Sequence, residues 1–367
     1  MKRDEFIFGV NTLVGCKHSI LNELEKKYKV EKKYLKIYRR SKFISAITTA
    51  LSYFDNLRYK SLSRNMEIPK DPIYILGHWR SGTTLLHNLL CCHKNISYPT
   101  TYQTVFANNM FFLSGLIKEV MRFLMPKKRL VDSVELGVDF PQEEDFGLGN
   151  EAGFSFYYWY HFPKDYERII DENLTLSNQD KEKVEEHKRA YERFVKRAIL
   201  NVGGEQYIAK NPPNMARLSF LLDMFPNSRF VYIERNPYET LLSTYRFHSG
   251  FLKTLQLQDV DEETLWKFIF KAYILTYRKY EEEKHLIPAK NLLEIKYEDL
   301  VSDPGSAYKS MHQGIFSDLE TDEEKLDSVI QKNNKHSVNP YNFEREYIDR
   351  VNSELGDIIE KQGYQRL

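Results

Sequence analysis

Cysteine is scarce. The 367 residues hold three, two of them adjacent at Cys91 and Cys92, too few for a disulfide framework, and no Cys/His spacing suggests a zinc site. An excess of one charge is missing too. Lys and Arg number 53 against 52 Asp and Glu, a formal net charge of +1, which argues against a general nucleic-acid binder, whose affinity rests on surplus cations. No apolar run approaches the roughly 18 residues that a membrane span requires. The stretch Met1 to Val10 starts basic but lacks the apolar core and small-residue cleavage site of a signal peptide. These absences lead to the expectation of a reducing cytoplasm and no membrane span. No repeat period or low-complexity tract stands out.

The composition is that of an ordinary globular chain, 42% hydrophobic and 29% charged, and its length suits one α/β domain as well as two. The most informative stretch is Tyr74 to Leu90, Y-I-L-G-H-W-R-S-G-T-T-L-L-H-N-L-L. An apolar run ends in a loop with Gly77 and Gly82, then passes through Thr83 and Thr84 into a helical apolar pattern. Glycines let the backbone turn sharply against an anion, and the amides of the following helix point into the loop. The loop therefore reads as a phosphate cradle. Its spacing nearly repeats the nucleotide-binding P-loop, but Thr83 stands where that motif needs lysine, and the fixed cation is Arg80. A P-loop kinase or nucleotide hydrolase is thereby the weaker alternative, and a non-catalytic nucleotide-binding module with the N-terminal helices as its working face is another.

Further strand-to-loop units follow. Gln206 to Lys210 ends on a lysine before Pro212 and Pro213, and a helix is expected over Met215 to Phe225 with Asn214 as its cap. Lys210 would lie at the carboxyl end of its strand, where ligands of open α/β sheets bind. Arg229 to Glu234 is a strand closing on Arg235, followed by a helix from Tyr238 to Phe247. Ser243 lies eight residues past Arg235, so that it faces the loop arginine from two turns into the helix. A forked guanidinium with a hydroxyl makes a clamp for a phosphate monoester. Asn291 to Lys296 is the last strand, followed by Tyr297-Glu298-Asp299-Leu300.

Other segments admit more than one reading. Pro141-Gln142-Glu143-Glu144-Asp145 looks like a plain helix start, with acids favoured by the helix dipole, or holds the carboxylate of a general base. The aromatic cluster Phe154 to Phe162 is core or the lining of an apolar acceptor pocket. Met110 to Met125 reads as an amphipathic helix that packs in the core, covers an acceptor, or meets a membrane surface. Residues 178 to 200 read as a charged surface helix. In residues 1 to 70, helix-period apolar positions at Ile20, Leu21, Leu24 and Tyr28, then Phe43, Ile47, Leu51 and Phe54, predict a helical N-terminal cap; its Lys-Lys pairs suit solvated faces or peripheral membrane contact.

R-S-G-T-T after an apolar strand resembles the 5′-phosphosulfate loop of sulfotransferases that use 3′-phosphoadenosine 5′-phosphosulfate (PAPS). The pattern R-x-P-x(5)-S at Arg235 to Ser243 resembles their 3′-phosphate site. Y-E-D-L at Tyr297 and P-Q-E at Glu143 are similar to further elements of the family, Glu143 matching a broad bacterial group. The likeness covers about residues 70 to 310 in the family's order.

The resemblance implies a central, P-loop-like parallel β-sheet flanked by helices, with 71–367 as the sulfotransferase α/β domain; it leaves the helical cap expected over residues 1–70, packed on that domain, unexplained. It also implies in-line sulfuryl transfer from PAPS, leaving adenosine 3′,5′-bisphosphate (PAP), to a hydroxyl, with no metal. The aromatic load and the Met110 to Met125 segment favour a lipophilic small-molecule acceptor such as a sterol, lipid alcohol or phenol, with a sugar or a peptide tyrosine as alternatives. Arg80 and Lys210 would hold the transferring group, and Ser81, Gly82, Thr83 and Thr84 the 5′-phosphate. Arg235 and Ser243 would hold the 3′-phosphate, Tyr297 would touch adenine, and Glu143 would take the acceptor proton. The chain departs from its relatives at several points. Cytosolic enzymes carry Lys at Arg80 and a histidine base at Pro212. Tyrosylprotein enzymes place a glutamate where no acid occurs between Thr84 and Lys118. The R-K-G triplet is missing around Lys332 to Ser337, and no residue there is assigned.

Overall fold

The computed structural model describes residues 11–67, 71–128, 135–176, 179–333 and 341–367. Met1 to Val10 and Asn334 to Ser337, both read above, lie outside the described residues. In chain order the elements are α1 (His18–Lys27), α2 (Leu35–Leu62), β1 (Ile73–Leu76), α3 (Thr83–Leu90), β2 (Ile96–Ser97), α4 (Thr101–Val105), α5 (Ser114–Leu124), α6 (Glu144–Ala152), α7 (Tyr166–Asn173) and α8 (Lys181–Val202). They continue with β3 (Gln206–Lys210), α9 (Leu218–Met224), β4 (Arg229–Glu234), α10 (Pro237–Leu255), α11 (Glu262–Glu283) and β5 (Leu292–Lys296). The last are α12 (Tyr297–Ser302), α13 (Pro304–Ile315), α14 (Glu323–Asn333) and α15 (Arg345–Lys361).

The strands form one sheet in the order β2-β3-β1-β4-β5. Pairing is parallel from β3 to β5, with Ile75 opposite both Lys210 and Val231, and Glu234 opposite Lys296. Strands buried on both faces should be continuous apolar runs, and Ile73 to Leu76 is fully buried. The α/β expectation holds, and the four anticipated strands appear at or within a residue of their expected ends. Sequence reading missed β2, whose two residues are too short for any period to show.

The chain divides into two compact units. One comprises residues 70–96, 208–246 and 266–367 and holds most of the sheet. Its core packs Leu86, Leu89 and Leu90 of α3 with Ile73, Ile75, Val231 and Ile233, joined by Leu300, Met311 and Leu326 from α12, α13 and α14. Because the chain steps over β1 in going from β3 to β4, the loops after β1 and β4 flank a topological switch point, where α/β sheets bind ligands. The expected Asn214 cap is not formed. Residues 212–216 make a tight 3-10 turn, Asn214 Oδ1 accepts from Asn211 Nδ2 at 3.0 Å, and α9 starts later, at Leu218. There Glu283 binds the amide and hydroxyl of Ser219 at 2.9 and 3.0 Å.

The other unit comprises residues 1–69, 97–207 and 247–265 and is mainly helical. Helix α2 forms within the expected helical segment, but its apolar positions do not make its buried face. Its buried stripe is Tyr38, Ser41, Ser45, Thr48, Ser52 and Asp55, whereas Phe43, Ile47 and Phe54 are exposed. The inversion has a cause in hydrogen bonding. Ser45 donates to the Cys16 carbonyl at 2.6 Å, Thr48 to that of Val14 at 3.3 Å, and Asp55 accepts the amides of Phe111 and Phe112 while pairing with buried Arg197. In the Met110 to Met125 segment only the start is core: Met110 is fully buried, whereas helix α5 buries none of its residues. The aromatic cluster, in contrast, is core: Phe156 to Tyr160 are all buried, with Trp159 stacked on Tyr160 at 4.2 Å.

Candidate active site

The glycine loop leaves β1 at the carboxyl edge of the sheet. A Cβ at Gly77 would sit 2.8 Å from the Ile233 carbonyl oxygen, so the loop lies tight against β4. Gly82 adopts φ 99° and a Cβ there would fall 2.3 Å from the Tyr297 ring, which makes glycine obligatory on both counts. Arg80 is left-handed as well, at φ 68°, a conformation that costs a non-glycine residue on the order of 1 kcal/mol or more. Ser81 uses its amide (3.2 Å) and its hydroxyl (2.8 Å) on the His78 carbonyl, closing the turn. Thr83 begins α3, and the first amides of that helix have no intrahelical acceptor. Thr83 is buried, while Thr84 is exposed at the helix start.

The two motifs separated by some 150 residues in sequence are interlocked in space. Arg80 Nε donates to Ser243 Oγ at 3.1 Å, and Arg235 Nη1 donates to the Arg80 carbonyl at 3.1 Å. The Arg235 guanidinium lies 4.2 Å from the centre of the Tyr297 ring, so Gly82, Tyr297, Arg235, Arg80 and Ser243 form one continuous cluster. Lys210, buried at the end of β3, stands beside Ile75 in the sheet. Its charge also reaches α3: His87 is pushed down to about 3 by burial and by the Lys210 ammonium. His78 falls to about 3 as well through burial, opposed by its bond to the Trp79 carbonyl. Both imidazoles are thus neutral at physiological pH and leave the field to Arg80, Lys210 and Arg235. Three cations at a parallel-sheet edge beside free helix amides suit a polyanion.

Several participants were not anticipated. Glu239 accepts from Arg235 Nε and Nη2 at 3.2 and 2.6 Å, fixing the fork. Its spacing of four from Arg235 is a helical pair that the sequence displays. Arg246 lies one turn past Ser243, and its guanidinium and that of Arg235 approach the same Tyr341 ring at 5.6 and 5.7 Å. Nothing in the sequence links Tyr341 to these arginines.

The acidic turn belongs to the helical unit and is described within it. Glu143 is the N-cap residue of α6, half-buried, and accepts a hydrogen bond from the phenol of Tyr157. Pro141 therefore precedes the cap and is not the first helical residue. Tyr157 is stacked on Phe146 at 4.4 Å, and burial together with the Glu143 charge holds its phenol well above the usual range, so it stays a donor. Glu144 is fully buried and accepts from Tyr191 at 2.7 Å and Tyr207 at 2.9 Å. Asp145, also buried, accepts the Phe156 amide at 2.8 Å. Of the three acids, Glu143 alone reaches the surface of its unit.

Known proteins resemble this chain as a whole. The omega-hydroxy-beta-dihydromenaquinone-9 sulfotransferase Stf3 of Mycobacterium bovis, and that of Mycobacterium tuberculosis, are 29% identical over 328 residues, covering 88% of this chain and 83% of theirs. In fold, the chain is similar to the crystal structures of sulfotransferase STF9 from Mycobacterium avium (TM-score 0.66, 13% identity, 90% of this chain and 86% of that one) and STF1 from Mycobacterium tuberculosis H37Rv (TM-score 0.62, 16% identity, 87% and 85%). The profile described as Sulfotransferase family matches residues 72–314, which span the glycine loop, Lys210, the Arg235 turn and Tyr297. The chain belongs to the sulfotransferase family, and it is an enzyme of that class.

Proposed function

We propose that this enzyme takes the sulfuryl group of PAPS and passes it to the hydroxyl of a lipophilic small molecule in the cytoplasm. The observation that carries the donor assignment is the interlock of Arg80, Ser243 and Arg235, which sets two cationic turns side by side for a nucleotide with phosphates at both ends of its ribose. The residues present fit PAPS: the left-handed Gly82 backbone beside the α3 amides for the 5′ end, and the Arg235 fork with the Ser243 hydroxyl for the 3′-phosphate. Arg246 adds a third donor to that end, supported by the Tyr341 ring it shares with Arg235. Tyr297, whose ring carries the Arg235 guanidinium 4.2 Å from its centre, is assigned to adenine by family likeness.

PAPS supplies the activated sulfuryl group. Transfer is in-line and loose, so the protein's work is positioning and charge stabilisation. Arg80 and Lys210 stabilise negative charge as it builds on the leaving phosphate oxygen. Glu143 accepts the acceptor's proton, with the Tyr157 phenol holding the carboxylate in place. The lipophilic acceptor is supported by the named substrate of the mycobacterial relative, a hydroxylated menaquinone.

Thermal-shift titration tests the donor half. PAP should raise the unfolding temperature without added metal, and a response to ATP with magnesium but not to PAP would move the protein to the kinase class. A screen of alcohols with labelled PAPS tests the other half. Transfer to sterols, prenols or phenols is expected, and transfer only to polysaccharide would end the lipophilic reading.

A further inference from the structure

Large apolar side chains on the surface of the helical unit are concentrated on two helices. In α2 the stripe Phe43, Ile47, Phe54 and Leu57 repeats at helical spacing and is exposed, Phe43 by 70%. In α5 the stripe Leu116, Val120 and Phe123 is likewise exposed, Phe123 by 70%, on a helix that buries nothing. The two elements are joined: the Asp55 carboxylate accepts the Phe111 and Phe112 amides that lead into α5, and the Phe54 and Phe112 rings lie 5.1 Å apart. Contiguous apolar surface of this kind marks an interaction face.

Charge identifies the occupant. Residues 35–62 carry Lys36, Arg39, Arg40, Lys42, Arg58 and Lys60 against a single acid, Asp55, and that acid is buried against Arg197. At 100° per residue, Lys36, Arg39 and Arg40 fall within about 60° of the Phe43 direction, and Arg58 does so at the far end, so exposed cations flank the apolar stripe at both ends. A protein partner's apolar patch would match the stripe but not this cationic border. A bilayer with anionic headgroups matches both, since apolar side chains enter the acyl boundary while Lys and Arg meet the phosphates.

We infer that the outward faces of α2 and α5 dock this protein on an anionic membrane surface. The attachment is peripheral, because among the described residues no helix is long and apolar enough to cross a membrane. It goes beyond the transfer reaction and holds whichever acceptor is used.

Co-sedimentation of the full chain with vesicles tests it. Binding is expected to vesicles of phosphatidylcholine mixed with phosphatidylglycerol, weak binding to phosphatidylcholine alone, and release on raising the salt, since exposed charges are screened over about 10 Å at 0.1 M. The double variants Arg39→Glu with Arg40→Glu, and Phe43→Ser with Ile47→Ser, should each lower the partition coefficient by about tenfold or more. Lys290→Glu with Lys309→Glu, the same charge change on the other unit, should leave it unaltered, and circular dichroism would show that all variants fold. No binding by the wild type, equal binding by the α2 variants, or a dimer in solution that the same substitutions dissolve would each overturn the proposal.

Discussion

Glu143 and Glu144 are adjacent, yet their surroundings give them opposite duties. Glu144 is sealed between two tyrosine hydroxyls and holds α6 to α8 and β3 of its unit, whereas Glu143, at the N-cap position of α6, is half-buried and accepts from the Tyr157 phenol. In the proposed reaction, Glu143→Gln should lower kcat by roughly a hundredfold or more while PAP binding and unfolding temperature stay near those of the wild type. Glu144→Gln should do the reverse, with a loss of about 1–3 kcal/mol in denaturant unfolding, because a buried phenol loses its acceptor. The sequence made the acidic turn legible and singled out Glu143 by family likeness. It could not separate the neighbours physically, since the three tyrosines that do so lie 14 to 63 residues away.

The lesson at the level of elements comes from α2. Apolar periodicity located the helix, yet its apolar side is not the side that packs. Periodicity reports that one face differs from the other; it names the buried face only if apolar contact is what anchors the helix. Here the anchors are Ser45, Thr48 and Asp55, and their partners at Cys16, Val14, Phe111, Phe112 and Arg197 are not visible as a pattern. The strands were easier, because burial on both faces leaves a plain apolar run ending in a polar residue that the sheet then positions. Asp55→Ala should cost about 3–5 kcal/mol in chemical unfolding, since it strands the buried Arg197 guanidinium and two amides. Asp55→Ala combined with Arg197→Met should recover part of that loss, which would separate a stranded charge from lost packing.

For the whole molecule, the near balance of charge makes stability depend on a few perturbed groups more than on net charge. Glu234, at the end of β4, is pushed up to about 7 by burial, with Lys296 at 3.9 Å drawing it back. The folded chain therefore holds a proton that the unfolded chain, near 4.5, releases sooner, and stability falls as pH rises between those values. Glu234→Gln should flatten that fall and stabilise the protein at pH 8 by on the order of 2 kcal/mol, with little change at pH 4. Thermal unfolding across that range checks the sign. The parallel sheet and the switch-point site could be read from strand-loop units in their order along the chain. The division into two units could not, because each is assembled from segments that are far apart in sequence.

The hydrogen bond from Arg80 to Ser243 bears on how donors are told apart. The Ser243 oxygen accepts from Arg80 and keeps its own proton to donate, so a 3′-phosphate that takes that proton polarises the hydroxyl and tightens its hold on the arginine. Adenosine 5′-phosphosulfate, which lacks that phosphate, would leave the arginine less firmly placed. It should then lose turnover as well as affinity, and Ser243→Ala should narrow the gap in kcat between the two donors, so that selection of the nucleotide is exerted through placement of the catalytic cation.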